Sequence, residues 1–388
     1  MGSILFAVAA LGLLASMLQL LLLRLHLRSA SRKPCPLPPI SILKPLCGVD
    51  DDLEANLASF ASLDYPSYEV VLGVRDGSDP AWRVADEAVR RWPGRFRLVI
   101  QRGEPGLNPK VNQLIGLAAA ARHDVLLVSD SNVRAPDGYL EDVARHLAEP
   151  GVGLVTHPVG GVGEESLGST LDNLQASSAV GPATVAVKRL TGRDVVVGKS
   201  MAFRRADLVA MGGFESVRNV LAEDYVLGVK VTRELGKRVA IGSVAIPAVS
   251  ERRDVAGFLS RYGRWCVMQR KIAGTPVYAA QVLLYPLPFA LAGLAFSPGT
   301  WALPAALLVW LSKAFLDGAT ARTLRGTGFG ARVIWLSPLK DLLFLFAFVR
   351  AFGENSVQWR GNRLLVQAGS RLQRVSDPST EGVLALER

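Results

Sequence analysis

Four places in the sequence carry residues whose types could do chemistry together. Asp76-Gly77 closes one apolar run and Asp130-Ser131-Asn132 closes another. Glu223-Asp224 opens a helical stretch, and Arg261-Tyr262-Gly263-Arg264-Trp265 stands just before a long apolar segment. Taken singly, each has an ordinary structural use. Asp-Gly is common turn chemistry, Asp130 suits a turn cap, and Glu223-Asp224 suits a helix N-terminus. The cations around Tyr262 and Trp265 suit a helix on anionic lipid, with its rings at headgroup level. They equally suit an active-site element that holds an anionic leaving group beside a lipid substrate.

The elements that must position these residues follow from the apolar pattern. Ile40–Leu43, Glu69–Val74, Phe96–Ile100 and Asp124–Ser129 are short β-rich runs, most of them continuously apolar, as strands buried on both faces of a parallel sheet read. Helical stretches alternate with them at Leu53–Ser62, Trp82–Arg91, Val111–Ala121 and Gly138–Leu147. This βαβα layout predicts an α/β sheet with helices on both faces. In such sheets ligands bind at the carboxyl ends of the strands. Asp76 and Asp130 fall there.

Residues 3–23 are uncharged and long enough to span a bilayer, and Arg24, Arg28, Arg32 and Lys33 follow at once. A cleaved signal peptide carries its charge before the apolar run, so the segment reads as an uncleaved anchor with its basic end in the cytoplasm. The C-terminal third offers three further apolar segments, 277–297, 301–316 and 333–349, with Lys340-Asp341 an internal ion pair in the last. Strict alternation of these would send the C-terminus outside, against its run of arginines, so one segment is expected to be re-entrant or interfacial.

The chain has 388 residues and a formal charge of +10, from 44 Lys and Arg against 34 Asp and Glu. Such a surplus suits anionic headgroups or a nucleotide diphosphate. No nucleic-acid-binding signature accompanies it, so no nucleic-acid partner is expected. Three scattered cysteines and four histidines without a His-x-x-x-His pair give neither a disulfide framework nor a zinc site. Gly161-Val162-Gly163 begins a dinucleotide-type glycine motif but lacks its third glycine, and no phosphate-binding P-loop or Gly-x-Ser-x-Gly elbow occurs.

The set Asp76, Asp130-Ser131-Asn132, Ala222-Glu223-Asp224-Tyr225 and Arg261-x-x-Arg264-Trp265 resembles the D, D, D, (Q/R)xxRW signature of lipid-directed family 2-like glycosyltransferases. Ser41–Gly48, Leu63-Asp64-Tyr65-Pro66 and Asn108-Pro109-Lys110-Val111-Asn112 narrow the match to ceramide glucosyltransferases, with bacterial hopanoid-linked glycosyltransferases sharing much of the pattern. The resemblance runs from about residue 39 to 275. It implies a GT-A (Rossmann-like) nucleotide-sugar domain flanked by transmembrane helices. It also implies an inverting transfer of a hexose, glucose by expectation, from a UDP-sugar to the primary hydroxyl of ceramide. A hopanoid or other lipid acceptor is the alternative, and a non-catalytic nucleotide-binding scaffold is the remaining one.

By the same resemblance Asp224 is the general base, and Asp130 holds a divalent cation, Mg²⁺ or Mn²⁺. Asp76, Lys110, Asp130 and Arg264 bind the nucleotide sugar, while Arg261, Arg264 and Trp265 face the diphosphate and the acceptor. Asn132 stands where many members of the wider fold carry a second aspartate. The expected organisation is an anchor (1–24), a basic Pro-rich linker (25–38), a cytoplasmic catalytic domain (39–253), an interfacial helix (254–274), C-terminal transmembrane helices (275–352) and a polar tail (353–388). The expected location is an integral protein of a bacterial inner membrane.

Overall fold

The computed structural model describes residues 1–29, 34–297, 299–359 and 361–374. Arg32, Lys33, Arg360 and the last fourteen positions of the expected tail lie outside the described residues.

The chain opens with helix α1 (Gly2–Arg28), then alternates β1 (Ile40–Pro45), α2 (Leu53–Ala61), β2 (Tyr68–Val74), α3 (Ala81–Arg91), β3 (Phe96–Ile100), α4 (Pro109–Ala120), β4 (Val125–Ser129), α5 (Tyr139–Ala148), β5 (Val152–Thr156) and β6 (Val159–Val162). Helix α6 (Leu167–Gln175) runs through a π-helical turn (Ala176–Val180) into α7 (Gly181–Thr191). There follow β7 (Ser200–Arg204), α8 (Arg205–Ala210), α9 (Glu223–Arg233), β8 (Arg238–Ile241) and β9 (Ile246–Val249). The C-terminal third holds α10 (Val255–Ala273), α11 (Thr275–Ala280), α12 (Pro286–Phe296), α13 (Ala302–Arg325), α14 (Val333–Arg350) and the short strands β10 (Ser356–Trp359), β11 (Asn362–Val366) and β12 (Leu372–Arg374).

The main sheet has the order β3-β2-β1-β4-β7-β5-β8, with β7 antiparallel to both of its neighbours. Every residue of β1, β2 and β4 is buried. Alternate side chains feed two cores: Ile40, Ile42, Val70 and Leu127 on one face, and Leu43, Val71, Leu126 and Val128 on the other. The α/β expectation is thus met, and the continuous apolar runs have the predicted cause. Strand β1 pairs with β2 on one side and β4 on the other. The strand order therefore reverses at β1, and the crevice beyond the carboxyl ends of β1 and β4 is where an open α/β sheet binds ligands.

Two boundaries differ from the sequence reading. Helix α1 continues to Arg28 because its last turn docks on the catalytic domain. Leu23 packs with Val185, Ile241 and Leu324, and His26 Nε2 lies 3.0 Å from the Gly242 carbonyl oxygen. The expected polar tail is in part a folded sheet, β10-β11-β12.

Helices α1 and α13 are long and apolar enough to cross a membrane. The expected straight span 277–297 is broken by 73° between Thr275–Leu284 and Pro286–Phe296, with Pro286 opening the second piece. The chain on either side of α14 contacts the α/β domain. Before it, Arg325 at the end of α13 pairs with Glu164 (2.9 Å). After it, Leu372 N donates to the Asn219 carbonyl (2.8 Å).

Candidate active site

Helix α4 begins with a strong cap. The Asn108 side chain accepts from Lys110 N and Val111 N (3.0 and 3.1 Å), Pro109 occupies the first turn, and Asn108 Nδ2 donates to the Val220 carbonyl (2.7 Å). The cap aims Lys110 across the crevice. Its ammonium group meets Asp130 Oδ1 (2.9 Å), Glu223 Oε1 (3.0 Å) and the Gly198 carbonyl (3.0 Å), so all three donors are used. Asn108→Ala is expected to cost about 1 kcal/mol of stability and to lower turnover as well, because Lys110 loses its fixed origin. Thermal unfolding and a turnover assay on the same preparation check both.

Asp130 follows β4 and faces a cavity of about 1520 Å³. Its two carboxylate oxygens lie against Lys110 and Lys199 (2.9 and 3.5 Å), and Lys44 Nζ donates to its backbone carbonyl (2.8 Å). Burial favours the neutral acid, but Lys110 and Lys199 outweigh it and hold the carboxyl below the usual range. Burial lowers Lys44 to about 7 and Lys199 to about 8, with Asp130 opposing in both cases. Lys110 moves the other way. Burial works against its charge, yet Asp130 and Glu223 together raise it.

Asp224 lies at the first turn of α9, where Oδ2 accepts from Gly198 N and Oδ1 from Tyr225 N, both at 2.8 Å. Burial and then the neighbouring Glu223 raise its carboxyl to about 6, against the pull of Lys110. The segment before it is held from the far end of the chain. Leu221 N donates to the Ser370 carbonyl (2.8 Å) and Ala222 N to Ser370 Oγ (3.0 Å). The tail sheet, expected from sequence only as a polar tail, is thus a buttress of the Asp224 loop.

Helix α10 is capped by Asp254, which accepts from Gly257 N (2.7 Å). It buries Phe258, Tyr262 and Cys266 at four-residue spacing. This leaves Arg261, Arg264 and Trp265 on the cavity wall. Arg261 is already engaged: Asp172 of α6 pairs with it (2.8 Å) and with Arg253 (3.2 Å), and its guanidinium sits 5.4 Å from the Trp265 ring centroid. Arg270 donates to the Glu354 carbonyl (2.6 Å) and ties α10 to the chain after α14.

The structure therefore gathers Lys110, Asp130, Asp224, Arg261, Arg264 and Trp265 around one cavity. Asp76 stands apart. Its carboxylate accepts from Ser78 N and Oγ (2.8 and 2.5 Å), a turn at the exposed end of β2, and the neighbouring Arg75 reaches the cavity wall in its place. Lys44, Glu223 and Asp172 are partners to which the sequence reading gave no role of their own. The available signal was a lysine inside the apolar strand Ile40–Pro45, which only a buried partner explains.

Among the described residues no group of three or more His, Cys, Asp or Glu gathers to hold a metal. Asp130 offers one carboxylate to the cavity. Mg²⁺ is commonly held by one or two protein carboxylates with phosphate oxygens and water completing its shell. The donor set fits a cation held in that way, by Asp130 on the protein side, and does not fit a closed all-protein cage.

A model of glycosyl transferase family 21 matches residues 4–372. Ceramide glucosyltransferase 3 of Caenorhabditis elegans is 27% identical over 340 residues, which cover 84% of this chain and 72% of that one. The ceramide glucosyltransferase of Komagataella phaffii is 28% identical over 206 residues, 46% of this chain and 40% of that one. Among solved structures, a mannosyltransferase from Pyrobaculum calidifontis in complex with GDP-Man and Mn²⁺ aligns over 90% of this chain and 99% of that chain, at 20% identity and a TM-score of 0.46.

Proposed function

The chain belongs to glycosyl transferase family 21, and from that premise we propose that it moves glucose from UDP-glucose to the primary hydroxyl of ceramide with inversion. The observation that carries the reading is Asp224, a half-buried carboxylate raised to about 6 on the wall of a cavity that also holds the lysine cluster and Arg264. A base needs reach and a pKa near the working pH. Asp224 takes the proton from the acceptor hydroxyl, whose oxygen attacks the anomeric carbon as the bond to UDP breaks. Lys110, Lys199 and Arg264 face the diphosphate as its negative charge grows. A Mg²⁺ or Mn²⁺ ion on Asp130 supplies Lewis-acid neutralisation of that leaving group when bound.

The proposed setting is a bacterial inner membrane with the catalytic domain cytoplasmic. Two features support it: Arg24 and Arg28 at the inner end of α1, and the cavity's extension past Trp265 to Val277 and Leu284 of the broken helix pair. UDP release from purified protein in detergent, with UDP-glucose and ceramide together, tests the reading. Release that depends on both is expected. Turnover with a polyol-bearing hopanoid but none with ceramide would replace the acceptor, and none with any lipid would remove the enzymatic reading.

A further inference from the structure

The cavity does not end at Arg261. Asp172, which holds Arg261, and Gln175 lie three residues apart on α6, on one helix face. Gln175 also lines the cavity, is 1% exposed, and its Oε1 accepts no hydrogen bond. A buried acceptor left in this way carries an uncompensated loss of hydration, which a ligand's donor would relieve. Immediately after Gln175 the backbone loosens into the π-helical turn Ala176–Val180, a rare form concentrated at functional sites. That turn carries Ser178 to the same wall.

Ser178 is oriented from below. Lys340 Nζ donates to Ser178 Oγ (3.2 Å), and its remaining donors meet Asp317 Oδ2 and Asp341 Oδ1, each at 3.0 Å. Asp317 is in turn held by Lys313 (2.5 Å) and Ser337 (2.7 Å). The network pairs its two lysines with two aspartates, so its charges balance internally. Its effect on the cavity is to occupy the Ser178 oxygen from one side, which leaves the hydroxyl hydrogen to point elsewhere. The wall thus presents one acceptor, Gln175 Oε1, and one donor, the Ser178 hydroxyl, less than two helical turns apart.

We propose that Gln175 and Ser178 form the subsite for the amide of the acceptor lipid. Gln175 Oε1 accepts from the amide N–H, and Ser178 donates to the amide carbonyl. A secondary amide has this donor–acceptor pair, whereas an ester-linked diacylglycerol lacks the N–H and would leave Gln175 unpaired. The inference rests on the reading of a ceramide acceptor and assigns the residues that select it. Neither side chain touches the reacting atoms, so both are specificity-determining rather than catalytic.

The test uses the full-length protein in detergent with UDP-glucose, ceramide and ceramide methylated on its amide nitrogen. Wild type is expected to lose about tenfold or more in acceptor kcat/KM on N-methylation, since sites built to pair a donor reject analogues lacking it. Gln175→Leu is expected to lose a similar factor on ceramide and nothing further on the N-methyl lipid, with KM for UDP-glucose unchanged. Ser178→Ala is expected to weaken both lipids alike, and it decides the matter if the leucine variant fails to fold. A Gln175→Leu enzyme that keeps the wild-type preference overturns this inference alone, as does a Ser178→Ala enzyme with wild-type acceptor KM. A wild type that turns over only lipids without an amide overturns both this inference and the ceramide reading.

Discussion

Asp224→Asn is expected to lower kcat by about 100- to 10,000-fold, the range general-base catalysis contributes, while KM for UDP-glucose changes little. The amide of asparagine keeps a carbonyl oxygen that can accept from Gly198 N, as Asp224 Oδ2 does now at 2.8 Å, so the loop should hold its shape. What disappears is the proton acceptor. The pH profile supplies a second reading of the same group. With its carboxyl raised to about 6 by burial and by Glu223, Asp224 is protonated and inactive below that pH. Acceptor kcat/KM in wild type should therefore rise with pH through about 6 and then level. An asparagine variant with unchanged turnover, or a wild-type profile flat from pH 5 to 8, would remove Asp224 from the role.

Lys110→Met is expected to be the most damaging single change to both stability and turnover. It leaves Asp130 and Glu223 without the cation between them, and breaking a buried ion pair costs about 3–5 kcal/mol. The side chain is 18% exposed, which places the loss toward the lower end. The sign with pH follows from Asp130, whose carboxyl is depressed in the folded protein by Lys110 and Lys199 against burial. That depression stabilises the fold above the ordinary carboxylate value of about 3.9 and is lost as pH falls below it. The gap between wild type and Lys110→Met should then be widest near neutrality and narrow below about pH 4. Adding Glu223→Gln should restore part of the stability and none of the turnover, because the diphosphate still lacks its cation. Denaturant unfolding at pH 4 and pH 7 measures this, and equal stability of wild type and Lys110→Met at pH 7 would sink it.

The parts legible in the sequence are those fixed by short-range pattern. Strands β1, β2 and β4 are buried on both faces, so their apolar runs announced them. Asp130 and Asp224 were placed by their position at element ends, and the Arg261–Trp265 stretch by its cations and rings just before an apolar segment. What sequence pattern does not carry is pairing across the fold. Nothing near Arg261 indicates Asp172 as its partner, and nothing near Lys110 indicates Glu223. Hydropathy likewise records that 277–297 is apolar but not that it turns by 73°. Asp76 illustrates the opposite case: it stands at the end of its strand as read, and its side chain is turned to Ser78 at the surface.

The buttress formed by Ser370 and Leu372 has a consequence for how the protein is made. Asn219–Ala222, the segment that leads to Asp224, takes three of its backbone hydrogen bonds from residues synthesised about 150 positions later: Leu221 N to the Ser370 carbonyl, Ala222 N to Ser370 Oγ and the Asn219 carbonyl from Leu372 N. Between the two lie α10 to α14. The contacts that hold the loop before Asp224 therefore form only once the chain through α14 has been made, and a chain cut short before Ser370 would lack them.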